Sequence, residues 1–339
     1  MPTSPLPDTR DNHGVLQIRR IGVRLAGLAA TILVIATINF ILVHAAPGDP
    51  ASVMAGQSGA TDEKFLAQVR ADYGLDQPYI VQLGTYLGKV VQFDLGYSFR
   101  QRRDVADLIL ERLWPTLLLT LTAFTLALAG GIFLGALAGR RAGRWSDTLI
   151  SMGALLLYAT PVFWLGLMLV LVFSIQLGWL PAFGYVSIRS ESFSTWRYIT
   201  DVAAHLVLPA VSLAAIYMAV YTRLMRSSII EVSHEDHVKT ARAKGLTEGR
   251  ILRRHMLRNA SLPVITFAGL QAGAMIGGAV VVETVFAWPG LGRLTYDAVL
   301  QRDYPVLLGL FLVMSVLVIL VNLLTDLIYR MIDPRLAAR

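Results

Sequence analysis

The chain has 339 residues, 55% of them hydrophobic and only 16% charged, with no cysteine and a formal net charge of +7. Soluble domains carry about 25% charged residues, so an ordinary soluble protein is excluded and a helical chain crossing a membrane several times is indicated. Without cysteine there is no disulfide framework, thiolate chemistry or cysteine-ligated zinc, and the positive excess is expected on loops facing anionic lipid, not on nucleic acid.

In chain order, residues 1–24 are polar, with Pro2, Pro5 and Pro7, and are expected to form a cytoplasmic N-tail. The apolar run Leu25–Val43 exceeds the roughly 7–15 residues of a signal-peptide core and predicts an uncleaved first span, residues 25–44. A polar insertion, 45–114, follows. It predicts amphipathic helices over Thr61–Tyr73, Gln77–Phe93 and Asp104–Arg112, the last leading into Trp114-Pro115 at the membrane surface. Residues 115–330 then read as a five-helix core. Its spans are Thr116–Ala138, Thr148–Leu177 (one tilted span, or one interrupted at Pro161), Ala204–Tyr221, Val264–Val282 and Val306–Tyr329. Residues 178–203 and 283–305 are polar loops, and 331–339 a cytoplasmic C-tail. The fold class is thus an all-α polytopic membrane protein with six transmembrane helices.

The basic residues orient this topology. With both termini on one side, nineteen of the thirty Lys and Arg residues fall there, nine of them in residues 222–263. Seven of the remaining eleven lie in the long 45–113 segment, where the positive-inside rule weighs least. Both termini and the 222–263 stretch are therefore expected in the cytoplasm.

The sequence contains no G-x-x-x-x-G-K-[ST], so ATP hydrolysis through a phosphate-binding loop of its own is excluded. It also lacks H-E-x-x-H and G-x-S-x-G. The six histidines suggest no metal site; His234 and His237, one helical turn apart, read as a solvated pair. Glu283 and Asp326 near span ends read as snorkelling groups rather than the mid-span acids of an ion-driven pump. An enzyme with a catalytic cluster inside the spans is not supported. A self-sufficient channel or secondary transporter is the rival. Gly131, Gly135, Gly139 and Gly269, Gly273, Gly277 recur every four residues, a spacing that lets helix backbones approach closely in lipid. They predict packing within the chain; a sliding seam against a second subunit is the alternative.

The most distinctive stretch is the polar segment Tyr221–Pro263. Glu235–Lys244 predicts a short helix with little apolar content, namely Val238, Ala241 and Ala243. Gly245 stands where a left-handed residue would end it. Thr247 can cap a second helix, with Glu248 in its first turn, running through Ile251, Leu252, His255, Met256 and Asn259 and stopping before Pro263. A helix–Gly–helix element with a weak apolar face fits a protein groove better than a lipid surface.

These residues carry a resemblance. Thr240-Ala241-Arg242-Ala243-Lys244-Gly245-Leu246, then Arg254-His255, Leu257-Arg258-Asn259-Ala260 and Leu262-Pro263, resemble the EAA loop of ABC importer permeases. Pro47-Gly48-Asp49-Pro50-Ala51, Gly74-Leu75-Asp76-Gln77-Pro78-Tyr79, Asp94-Leu95-Gly96-Tyr97-Ser98 and Phe286-Ala287-Trp288-Pro289-Gly290-Leu291-Gly292 resemble the first permease of the dipeptide/oligopeptide/nickel group. Lys239-Thr240-Ala241 stands where the family's Glu-Ala-Ala would be, so no acidic contact transfers to position 239. The resemblance implies a homologous second permease, two ATPase subunits that bind ATP and Mg, an extracytoplasmic substrate-binding protein, and no cofactor on this chain. It implies that Glu235, Asp236, Val238, Lys239, Thr240, Ala241, Arg242, Ala243, Lys244, Gly245 and Leu246 form a cytoplasmic coupling helix and its exit, between spans four and five. It further implies an inner-membrane importer for di- or oligopeptides, with nickel chelates, glutathione and oligosaccharides as alternatives. Membrane lipid is a partner and nucleic acid is not.

Overall fold

A computed structural model describes residues 10–45, 76–98, 100–188 and 190–332. The expected helix Thr61–Tyr73 and the C-tail from 333 lie outside them. Among the described residues, five helices are long and apolar enough to cross a membrane, and a bent pair makes a sixth when counted as one span. The chain divides into two compact units, residues 1–106 with 302–316, and residues 107–301 with 317–339.

The first unit begins with α1, Arg10–Ala45. Its helix starts fifteen residues before the apolar run, because the polar segment from Arg10 to Arg24 contains no proline to stop it. The N-tail expected over 1–24 is therefore helical from Arg10 onward. α2, Tyr79–Val91, starts after Pro78, as a helix with proline at its first turn should. A two-residue hairpin follows, β1 Tyr97–Ser98 against β2 Arg103–Asp104, with Tyr97 opposite Asp104. Ala36, Val90 and Leu312 form its small core, flanked by Ile32, Tyr86, Leu87 and Leu95. Ser98 Oγ donates to Asp303 Oδ2 at 2.5 Å, and Ser98 Oγ accepts from Gln101 N at 3.0 Å. Burial raises the Asp303 carboxyl above its ordinary value, against the lowering effect of the Ser98 bond.

The expected helix Asp104–Arg112 and the second span are one helix, α3, Val105–Arg140, which runs through Pro115. A proline inside a helix removes one backbone bond and does not force a break when tertiary contacts hold the two halves. In the second unit, α4 (Trp145–Ala159) and α5 (Val162–Leu169) occupy the stretch expected as the third span. A wider π-helical turn, Val170–Gln176, extends α5. The pair bends by 108° at Thr160-Pro161. Thr160 is extended (ψ 127°), as sterics demand before proline. The stretch expected over Thr148–Leu177 is thus interrupted at Pro161, as a broken span or a re-entrant loop would be.

α6, Thr195–Val232, has 38 residues and extends the expected Ala204–Tyr221 in both directions. At 1.5 Å per residue it is about 57 Å long, well beyond the roughly 30 Å of hydrocarbon. It is the most buried of the spans and packs against α4, α5 and the last long helix of this unit. After it come α7 (Asp236–Ala243), α8 (Glu248–Ile251), a π-helical turn over Leu252–Met256, and α9 (Leu257–Val285). The second helix of the polar stretch does not stop before Pro263; it continues through that residue into the fifth span. The loop expected over 283–305 contains α10, Leu291–Gln301. α11, Tyr304–Ile332, is the last span.

Candidate functional site

α7 is short because its sequence signals at both ends are strong. Glu235 occupies the N-cap position in extended conformation, and Asp236 places a negative charge in the first turn. At the other end Gly245 N donates to Arg242 O at 2.9 Å and Leu246 N donates to Ala241 O at 3.3 Å. Gly245 has φ +74°. This pair of bonds around a left-handed glycine is the Schellman ending. No heavy atom lies within 4 Å of where a Cβ on Gly245 would be, so the glycine is required by backbone conformation and not by crowding.

The helix has two unlike faces. Val238 and Ala241 are buried, at 0% and 4% exposure, in one core cluster with Ile229, Val232, Ile251 and Met256. Leu246 packs against the same cluster. Glu235, Asp236, Lys239, Thr240, Arg242, Ala243, Lys244 and Gly245 are exposed. The few apolar residues noted in the sequence thus hold the helix to its own chain, while the polar ones form the free surface. Arg242 fixes the hairpin: Nε donates to Glu248 Oε1 at 2.9 Å, and Nη1 to the Ser233 carbonyl at 3.2 Å. Lys239 Nζ donates to Asp236 Oδ1 at 2.9 Å. His237 lies 3.0 Å from the Glu235 carboxylate and 3.2 Å from the His255 carbonyl, and does not meet His234, whose Nδ1 is 2.8 Å from Ile230 O. Among the described residues no three His, Asp or Glu side chains gather in a way that could hold a metal.

Below the hairpin, α6 is clamped on two sides. Gly131, Gly135 and Gly139 lie along α3 where it meets α6. A Cβ on Gly131 would stand 2.5 Å from Tyr221 Cβ, and one on Gly135 2.5 Å from both Met225 Cβ and the Thr222 carbonyl. One on Gly139 would stand 2.8 Å from Ile229 Cβ. The second glycine series differs. Gly269 is buried, Gly273 faces Val318 and Asn322 at 3.0 and 3.3 Å, and Gly277 meets nothing within 4 Å. On its other side α6 is tied to α4 by Arg226, whose Nε and Nη2 donate to Asp147 Oδ1 and Oδ2 at 2.5 and 2.8 Å. Asp147 is buried and also accepts from Gly143 N at 2.9 Å. Sequence reasoning passed over this fork-to-fork pair; its signal was an acid standing at the start of an apolar run, directly after Arg140, Arg141 and Arg144.

At the far end of α9 the structure corrects the expectation for Glu283. It is not a snorkelling group but 0% exposed. Its Oε1 accepts from Thr116 Oγ1 at 2.7 Å and its Oε2 from Arg293 N at 3.0 Å. Thr116 Oγ1 accepts in turn from Leu291 N at 2.7 Å, and Trp288 Nε1 donates to the Pro115 carbonyl at 2.9 Å. A side chain on Gly290 would collide with the Glu283 carboxyl, and one on Gly292 with Val280, its Cβ 2.5 Å from the Val280 Cα. The run Trp288-Pro289-Gly290-Leu291-Gly292 is therefore a wrapping around one buried carboxyl, and glycine is needed there for close approach.

A family model described as "Binding-protein-dependent transport system inner membrane component" matches residues 131–338, and one for the N-terminal part of such components matches 17–120. The glutathione transport system permease protein GsiC of Escherichia coli K12 is 42% identical over 311 residues, covering 92% of this chain and 96% of its own length. The protein of the same name from Salmonella paratyphi A matches to the same extent. Among solved structures, inward-facing forms of the MetNI methionine ABC transporter align with TM-score 0.53 at 19% identity, over 67% of this chain and 96% of theirs. At that identity the likeness concerns the fold.

Proposed function

Because the chain belongs to the binding-protein-dependent transport system inner membrane components, and is the permease subunit of an ABC importer, we propose that it couples to ATPase partners through the exposed face of α7 and carries small peptides. It is not itself an enzyme; in this family ATP hydrolysis belongs to separate subunits. Importers of this kind work with a partner permease, ATPases and a binding protein. For this chain the proposed set is a homologous second permease, two ATPases carrying ATP and Mg, and an extracytoplasmic binding protein. The distribution of Lys and Arg supports a cytoplasmic position for both termini and α7.

The observation that carries the proposal is the two-faced construction of α7. Its apolar residues anchor it to α6, α8 and the π-helical turn, its polar residues are exposed, and a Schellman ending fixes its length. A partner that pushes on the free face moves α6, a rod about 57 Å long, instead of bending a loose loop. Arg226–Asp147 and the Gly131–Gly135–Gly139 seam extend that motion to α4 and α3. The glycines serve here as packing positions within the chain.

The named relatives transport glutathione, itself a tripeptide, which favours small peptides over nickel chelates and oligosaccharides. The test is uptake of labelled glutathione, di- and oligopeptides by cells with and without the chain and its partners. ATP-dependent accumulation of a peptide that disappears without the chain supports the proposal. Accumulation of a nickel chelate or oligosaccharide alone would redirect the substrate reading and leave the permease role intact. Solute flux through the purified chain in liposomes, without ATPases, would support the self-sufficient transporter instead.

A further inference from the structure

In the first unit, α1, α2, the β1–β2 hairpin and the first turns of α11 enclose a cavity of about 500 Å3. Its wall is graded. Phe40, Val90 and Leu312 are buried at 5%, 8% and 7% exposure and form an apolar floor with Leu308. Leu312 lies two turns into α11, about 12 Å from its start at 1.5 Å per residue. The opening is polar: Lys89, Asp94 and Asp104 line it and are exposed. Between the two levels stands Tyr86, stacked on Phe40 with ring centroids 5.8 Å apart. Its hydroxyl is buried and has no hydrogen-bond partner among the described residues. Burial pushes its pKa up to about 12, so it remains a donor throughout the physiological range.

A buried hydroxyl without a partner costs about 1–3 kcal/mol, and native structures place a ligand or water where such a group points. The other features say which. Both α1 and α11 are among the apolar helices long enough to span a bilayer, so the floor lies at acyl-chain depth and the opening at headgroup depth. α2 carries Ile80 and Val91, and Phe93 follows it, exposed by 83%, 66% and 89%, apolar surface suited to a lipid interface. The opening carries charge of both signs, one cation and two carboxylates, and one of these, Asp94, already accepts from Gly96 N.

We propose that this cavity binds one zwitterionic aminophospholipid, with an acyl chain on Phe40, Leu308 and Leu312, an ester carbonyl on the Tyr86 hydroxyl, the phosphate on Lys89 and the ammonium on Asp104. The amine is what distinguishes this ligand from the other bilayer lipids: an acidic phospholipid without an amine would satisfy Lys89 and meet the two carboxylates unfavourably.

The test is native mass spectrometry of the complete transporter, extracted in mild detergent and exchanged through graded lipid mixtures. We expect one phosphatidylethanolamine to be retained in preference to phosphatidylglycerol. Leu308→Trp, which fills the floor, should abolish retention without releasing the partner subunits. Tyr86→Phe and Lys89→Gln should each weaken it about tenfold, the effect of one lost charged or neutral hydrogen bond. Asp104→Asn should lower the preference for phosphatidylethanolamine over phosphatidylglycerol. The same lipid retained equally by Leu308→Trp, equal retention of the two lipids by the unaltered chain, or a peptide or no adduct in place of lipid would each overturn the proposal.

Discussion

Single residues explain why the α7–α8 hairpin has its sequence. Gly245 has room for a side chain but not the backbone angle for one. Gly245→Val should therefore cost about 1–2 kcal/mol of hairpin stability from φ alone, and Gly245→Asn less, since asparagine tolerates the left-handed region. The expected readout is a lower ratio of solute imported to ATP hydrolysed for Val, with Asn intermediate; equal coupling in both would exclude conformation as the reason for the glycine. Asp303 allows a pH test. Its carboxyl is raised in the folded chain by burial, so its contribution to stability is complete below the ordinary carboxylate value near 4. That contribution is lost as pH rises through the higher folded value. At neutral pH Asp303→Asn should then match or exceed the native chain in thermal stability. Asp303→Ala, which strips the Ser98 hydroxyl of its acceptor, should lose about 1–3 kcal/mol. A destabilised Asn variant would show that the charged form is the one the fold prefers.

Between elements, the two glycine series should behave differently although they look alike in the sequence. Gly135→Ala forces α3 away from Met225 and Thr222 and should cost about 1–3 kcal/mol. Gly277→Ala, with open space around it, should be neutral or stabilising by up to about 1 kcal/mol. Thermal unfolding in detergent separates the two. The Glu283 wrapping gives a sharper contrast. Glu283→Ala leaves the Thr116 hydroxyl and the Arg293 N–H without their buried acceptor and should cost about 2–4 kcal/mol. Glu283→Gln keeps the shape and one acceptor, and should lose roughly half of that. If both variants unfold with the native chain, the carboxyl does not hold α3, α9 and α10 together.

For the whole molecule, the order of the apolar helices was legible because a bilayer imposes a length near 20 residues on any span. So was the hairpin, since Gly245 and Thr247 are strong local signals. Helix continuity was not: Pro115 and Pro263 read as boundaries, yet both lie inside helices because each removes a single backbone bond. The burial of Glu283 was hidden for another reason. Its partners, Thr116 and Arg293, come from α3, 167 residues away, and from α10, 10 residues away, and pairings of that range leave no local pattern. Val238 and Ala241 were grouped with the rest of α7 because composition alone does not say which face of a short helix turns inward.

The absence of native cysteine makes the proposed docking of α7 directly measurable. Single cysteines at Lys239, Thr240, Ala243, Val238 and Ala241 can be tested for cross-linking to the ATPase subunits in the assembled transporter, with transport followed in proteoliposomes. Cross-links at 239, 240 and 243 that arrest coupled transport, with none at the buried positions 238 and 241, are the expected result. No cross-link at the exposed positions, or transport that continues once α7 is covalently held, would mean that this helix does not deliver the work of ATP hydrolysis to the membrane.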